Sequence, residues 1–195
     1  MPETTNETFF APRELSVKDF AAHWHGTQQR KLTGEPYVNH LTRVAKIVKT
    51  YTGNSLLVAA AFCHDLYEDT RCTEEELMLA LSEAGYSSKE GLKINKMVWE
   101  LTDEFVNEKY PALNRHTRKT AEAKRLWYIS PEAQTVKYAD LIDNVVDLAS
   151  NDPGFARTYL MEMNQILEKM NKGLPKLYKK TLKIAKEVGE ELKGG

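Results

Sequence analysis

LLVAAAFCHDLYEDT, residues 56–70, decides how this chain folds. Leu56 to Cys63 are all apolar, so a helix over them is hydrophobic on every side, the mark of a helix at the centre of a fold. His64, Asp65, Glu68 and Asp69 follow at once. On a helix His64 shares a face with Glu68, and Asp65 with Asp69. A histidine and a carboxylate beside a buried segment need partners, because each unpaired buried polar group costs about a few kcal/mol. An isolated His-Asp-x-x-Glu-Asp pattern can equally be a solvated helix terminus, and the apolar run ahead of it weighs against that.

Helical periodicity continues on both sides. Ser16 with Asp19 resembles a capping box, and Val17, Phe20, Ala21 and Trp24 make one stripe of a helix running to Arg30 and Lys31. Gly34 and Pro36 mark a turn before Val38, Leu41, Val44, Ala45 and Val48. Thr73 and Glu76 cap a helix that Gly85 stops, and Ile94, Met97, Val98 and Leu101 predict another. Residues 102–117 are polar and irregular and read as a long loop or broken turns. Ser130-Pro131 and Asp152-Pro153 each start a helix with proline at the first helical position. Pro175 to Leu192 is a lysine-rich amphipathic helix. No strand alternation and no internal repeat is present. The expectation is all-α: one helical bundle over 16–195, with its core over 17–150, C-terminal helices over 153–192 and a flexible segment over 1–15.

Bulk properties narrow the function. The 195 residues suit one domain, 42% hydrophobic residues suffice for a core, and the net charge of -1 supplies no general attraction to nucleic acid. No 18-residue apolar stretch predicts a membrane span. The start, MPETTNETFFAPRE, lacks signal-peptide character, so a cytoplasmic location is expected. Cys63 and Cys72 form neither a disulfide framework nor a zinc spacing; Cys63 reads as a core residue.

Two further segments hold chemistry. In TVKYADLIDNVVDLAS, residues 135–150, the polar residues Lys137, Asp140, Asn144 and Asp147 form a narrow stripe on an otherwise apolar helix. That pattern suits a buried helix turning carboxylates toward a metal or a cation. In HGTQQRKLTGEPYVNH, residues 25–40, His40 follows a Gly/Pro turn and Arg30-Lys31 precede it. Alone, His40 reads as a hydrogen-bonded core histidine, and Arg30-Lys31 as a charge pair at a helix C-terminus. Together, His40, His64-Asp65 and Asp140 offer two imidazoles and two carboxylates. That set suits a borderline-to-hard divalent ion and, without thiolates, not a structural zinc site.

These segments resemble the HD superfamily of metal-dependent phosphohydrolases, whose signature is H…HD…D. They are most similar to the hydrolase domain of RelA/SpoT proteins and to small alarmone hydrolases. HGTQQRK resembles H-x-G-Q-x-R-K, TGEPYVNH resembles G-E-P-Y-I-x-H, AAAFCHDLYEDT resembles A-A-x-L-H-D-x-x-E-D-T, and VKYADLIDN resembles V-K-L-A-D-x-x-x-N. The glycine of the first motif comes one place early, at Gly26, Leu41 stands where proline is common, and residues 103–118 do not match. The resemblance implies one metal ion, typically Mn²⁺, on His40, His64, Asp65 and Asp140. Glu68 and Asp69 would handle the attacking water and its protons. Arg30 and Lys31 would face the nucleotide, Asn144 the water or the ribose, and Lys137 and Arg118 the phosphates. Of five histidines only His116 lies between His64 and Asp140, which favours one metal over two; His25 fits a structural role near the site. The implied reaction removes the 3′-diphosphate of a guanosine tetraphosphate-type alarmone. The alternatives are a phosphatase on another nucleotide, such as the 2′-phosphate of NADPH or a 5′-nucleotide, and a non-catalytic nucleotide-sensing module. The oligomeric state is open.

Overall fold

The computed structural model describes residues 9–194. Within them every regular element is a helix, and the one β-type feature is an isolated antiparallel bridge between Gln29 and Pro36. The expected all-α architecture is observed.

The apolar run forms α3 (Ser55–Cys63), capped by the Asn54 side chain accepting from the Leu56 N–H. Leu57 through Cys63 are all buried. Four helices surround it: α1 (Pro12–His25), α2 (Tyr37–Tyr51), α6 (Ser88–Leu101) and α8 (Pro131–Asn151). Burying one large apolar side chain contributes about 1.5–3 kcal/mol, so Phe62, Leu41, Ile94 and Leu141, all enclosed here, make this contact zone the core. Between α3 and α6 lie the short α4 (Leu66–Asp69) and α5 (Glu74–Glu83), the latter opened by a Thr73/Glu76 capping box. α7 (Arg115–Leu126) precedes α8, and α9 (Pro153–Leu167) and α10 (Pro175–Gly194) both pack on α8.

The turn between α9 and α10 is clasped to α8. Lys172 N–H donates to Gln134, Gly173 N–H to the Tyr138 hydroxyl, and Leu174 N–H to Thr135, while Tyr138 donates to the Met170 carbonyl. Gly173 is required there: a Cβ would lie 2.6 Å from the Tyr138 ring and 2.9 Å from the Thr135 nitrogen.

Four expectations are corrected. The first helix starts at Pro12, not Ser16, because the Glu14 carboxylate accepts from the Ala11 N–H and leaves Ser16 one turn inside. The segment expected to be flexible is therefore structured where it is described: Pro12–Leu15 are helical and Phe10 is buried on Phe62. The part of that expectation falling on residues 1–8 lies outside the described residues. The same helix ends at His25, since Gly26 at φ 53 turns the chain away, so Arg30 and Lys31 sit in the connecting turn and not on a helix end. Finally, residues 115–126 are helical where no helix was expected.

Candidate metal and substrate site

Three helices bring the signature residues together. His40 comes from α2, His64 caps the C-terminus of α3, Asp65 follows it, and Asp140 comes from α8. His40 Nε2 lies 3.7 Å from Asp65 Oδ2 and 3.4 Å from Asp140 Oδ1. His64 Nε2 lies 3.0 and 3.6 Å from the same two atoms. One donor atom each from His40, His64 and Asp65 fit within 4.8 Å of one another.

The tautomers are set from outside the cluster. His40 Nδ1 donates to Asp143 Oδ2 at 2.7 Å, and His64 Nδ1 donates to the Ala61 carbonyl at 2.8 Å. Each Nε2 therefore presents a lone pair to the cluster when the ring is neutral. His64 Nε2 is buried without a hydrogen-bond partner, its approach to Asp65 lacking hydrogen-bond alignment. Burial alone would lower the pKa of both imidazoles, yet the surrounding carboxylates push both up. Asp140 is held well below the usual carboxylate range: Lys137 and the two histidines outweigh its burial. The carboxylates of Asp65, Asp140 and Asp143 around the two rings call for positive charge at their centre, which the rings supply as imidazolium when no metal is bound. A divalent cation fits that donor set, with its orphaned nitrogen and its oxygen and imidazole ligands.

The supports are as ordered as the ligands. Arg43 binds both oxygens of Asp143 and both oxygens of Glu35. The Tyr37 hydroxyl donates to Asp65 Oδ2 at 2.7 Å, and its ring stacks on His25 at 4.9 Å. His25 Nδ1 donates to Gln28, which donates on to Asp69 Oδ2. Glu68 accepts from the Asp103 N–H at 3.0 Å. Its carboxyl is pushed up to about 7, by partial desolvation and then by the Asp103 and Asp65 carboxylates; the residue stays exposed, so water screens part of that push.

A cleft of 590 Å³ opens beside this cluster. Arg30, Lys31, Tyr37, Asp69 and Asn144 line it. Arg30 Nη2 donates to Asn144 and Asp147, and Asn144 donates to Asp140, so the cleft wall is tied to the cluster. Of the five residues expected to meet substrate, these three, Arg30, Lys31 and Asn144, are in the cleft. Lys137 does not line it, and its ammonium pairs with Asp140 Oδ2 at 2.9 Å. Arg118 is turned into its own loop, donating to the Leu113 carbonyl. Neither side chain lines the cleft, and each has an acceptor within the protein.

A model of the HD domain matches residues 18–166. The chain belongs to the HD-domain family. Among proteins similar to this HD domain is the guanosine-3′,5′-bis(diphosphate) 3′-pyrophosphohydrolase MESH1 of Mus musculus, 31% identical over 185 residues, covering 93% of this chain and 95% of the relative. The Homo sapiens protein of the same name is 32% identical over 168 residues, covering 84% and 86%. A probable guanosine-3′,5′-bis(diphosphate) 3′-pyrophosphohydrolase of Synechocystis is 32% identical over 148 residues, 75% of this chain but 18% of that longer protein. The solved structure of a metazoan ortholog of SpoT superposes with a TM-score of 0.75 over 92% of this chain and 97% of that one; at 24% identity it supports the fold. HD-domain hydrolases are metal-dependent, which agrees with the buried His-His-Asp cluster. No helix among the described residues is long and apolar enough to cross a membrane.

Several working residues went unread in the sequence. Tyr37 and Arg43 stand three residues either side of His40, and Asp143 three after Asp140, so helical spacing puts each beside a ligand. That spacing was the available signal.

Proposed function

We infer that this chain is a metal-dependent hydrolase that removes the 3′-diphosphate of guanosine 3′,5′-bis(diphosphate) as pyrophosphate. The observation that carries the reading is the convergence of both Nε2 atoms on Asp65 and Asp140 beside a cation-lined cleft. Near full-length similarity to proteins bearing that activity in their names supports it.

His40, His64, Asp65 and Asp140 would hold one divalent ion, Mn²⁺ in this reading, which supplies Lewis acidity toward the phosphate. Asp143, Arg43 and Glu35 keep His40 oriented, and Tyr37 keeps Asp65 oriented. Glu68, raised to about 7, can take and return a proton near neutral pH, and the Asp103 N–H fixes its carboxylate. Asp69, aligned by Gln28 and His25, completes the acid/base pair. Arg30, Lys31 and Asn144 meet the nucleotide from the cleft wall. Lys137 acts by keeping Asp140 ionised. The single bundle with its core over 17–150, and a cytoplasmic location, belong to the same reading.

Incubation of the purified protein with Mn²⁺ and guanosine 3′,5′-bis(diphosphate) should release pyrophosphate and guanosine 5′-diphosphate in equal amounts. Orthophosphate release from NADPH or a 5′-nucleotide, with no pyrophosphate from the alarmone, would overturn the substrate while leaving the metal site standing. Tight nucleotide binding without turnover under any metal would make the chain a sensing module.

A further inference from the structure

One cation of the cleft has no part in the reaction described above. Arg115 opens α7, whose cap is Asn114. Its Nε and Nη2 bind the two carboxylate oxygens of Glu162 at 2.9 Å each, and its guanidinium carbon sits 4.9 Å from the Phe155 ring centroid. Phe155 and Glu162 are two turns apart on one face of α9, with Tyr159 between them. Arg115 thus spans the stretch of α9 that holds Tyr159, and the Tyr159 hydroxyl neighbours Asn144 on α8.

Two features separate this from an ordinary surface pair. Arg115 and Phe155 line the cleft, whereas Glu162 lines a separate small pocket with Asp103 and Lys137. Glu162 therefore holds the guanidinium without itself lining the cleft, and Nη1 donates no hydrogen bond among the described residues. A bidentate carboxylate and an aromatic face also fix the side chain before any ligand arrives, so little rotamer freedom is left to lose on binding.

Charge placement names the ligand. Arg30 is neutralised by Asp147 and tied through Asn144 to Asp140, so it belongs to the metal-binding end of the cleft. Arg115 lines the same cleft from α7, held there by Phe155 and Glu162 of α9, and has no tie to the metal-ligand cluster. A nucleotide with its 3′-diphosphate at the cluster carries its remaining phosphates on the 5′ carbon, across the ribose. We propose that Arg115 receives the 5′-phosphates and selects nucleotides phosphorylated at both ends over those phosphorylated at the 3′ end alone. This assignment rests on the function proposed above and deepens it. The guanidinium offers a charge-assisted hydrogen bond to phosphate, the kind of contact whose loss weakens binding about tenfold or more.

The test uses the full chain and Arg115→Gln, with thermal melting to show that both are folded. Pyrophosphate release is followed with Mn²⁺ from guanosine 3′,5′-bis(diphosphate) and from guanosine 3′-diphosphate, which has a free 5′-hydroxyl. The variant should raise KM about tenfold or more for the first and leave the second within about twofold. Equal losses on both substrates, or no loss on either, overturn the assignment. Calorimetry with guanosine 5′-diphosphate reads the same subsite without turnover. If the wild type hydrolyses neither substrate, yet Arg115→Gln weakens guanosine 5′-diphosphate binding about tenfold, the proposed reaction falls and the Arg115 site stands. Unchanged guanosine 5′-diphosphate binding overturns the site.

Discussion

Replacing Asp143 by asparagine tests whether the metal site depends on groups that never touch the metal. Asp143 is 8% exposed and accepts three hydrogen bonds, from His40 Nδ1 at 2.7 Å and from Arg43 Nε and Nη2 at 2.6 and 3.1 Å. Asparagine keeps the volume and one acceptor but loses the charge. The bond to His40 then changes from charge-assisted to neutral, a loss of about 1 kcal/mol. The new amide N–H₂ also faces Arg43, donor against donor, and an unpaired buried donor costs about 1–3 kcal/mol more. His40 is then free to turn its Nε2 away from Asp65 and Asp140. The expected outcome is a Mn²⁺ affinity lower by about 10- to 100-fold, with the four proposed ligands still present. Titration calorimetry of metal-stripped protein reads this directly, with His64→Ala as the reference for losing a ligand outright. Wild-type Mn²⁺ affinity in a folded Asp143→Asn protein would refute the claim that this carboxylate sets the histidine.

Glu68→Gln should retain Mn²⁺ while turnover falls about 100-fold or more, because an amide cannot take the proton; unchanged turnover removes Glu68 from the reaction. Gly173→Ala should destabilise by about 1–3 kcal/mol, since its Cβ would strike Tyr138 and Thr135. For a chain this size that lowers Tm by about 2–12 °C in a thermal melt, and an unchanged Tm would mean the clasp yields freely. The hydrogen bonds from Arg43 hold the Glu35 carboxyl below its ordinary value. A lowered folded-state pKa contributes stability above the unfolded glutamate pKa of about 4.3, and that contribution is lost as pH falls through the folded value. Wild type should therefore melt higher than Glu35→Gln at pH 6, and the gap should close as pH drops below about 4; a gap constant with pH would contradict the ion-pair account.

How far the sequence could be read depended on where each signal is stored. α3 and the stripe on α8 were legible because hydrophobic periodicity and buried position are the same property seen twice. The cluster of His40, His64, Asp65 and Asp140 was legible because a histidine or aspartate at the edge of such a segment has few other uses. α7 was missed because TRKTAEAKRL is almost entirely polar, and only Ala123 and Leu126 are fully buried apolar residues on it. The end of the first helix was misplaced although Gly26 was visible, because the polar run to Lys31 could continue a helix until a positive φ ended it. Lys137 and Arg118 match basic positions of the resemblance, but sequence shows a charge and not its partner, which here is Asp140 for one and the Leu113 carbonyl for the other. Asp143, Tyr37 and Arg43 act through other side chains, and that role exists only once α2 and α8 are side by side.

α8 carries Asp140, Asp143, Asn144 and Asp147, and so reaches a proposed ligand position, the His40 support and the Arg30 anchor from one rod. These groups cannot adjust separately: a roll of the helix moves all of them together. At a side-chain radius of about 5 Å, a roll of about 10° displaces a carboxylate by about 1 Å. A misplacement of that size can cost about 100-fold in rate. The angular setting of α8 is held on its other side by the clasp at Gly173 and by α10. The C-terminal helix thus works as the bearing of the catalytic rod. Substitutions along α10, which offers no side chain to the cleft, would be felt as changes in turnover before they were felt as unfolding.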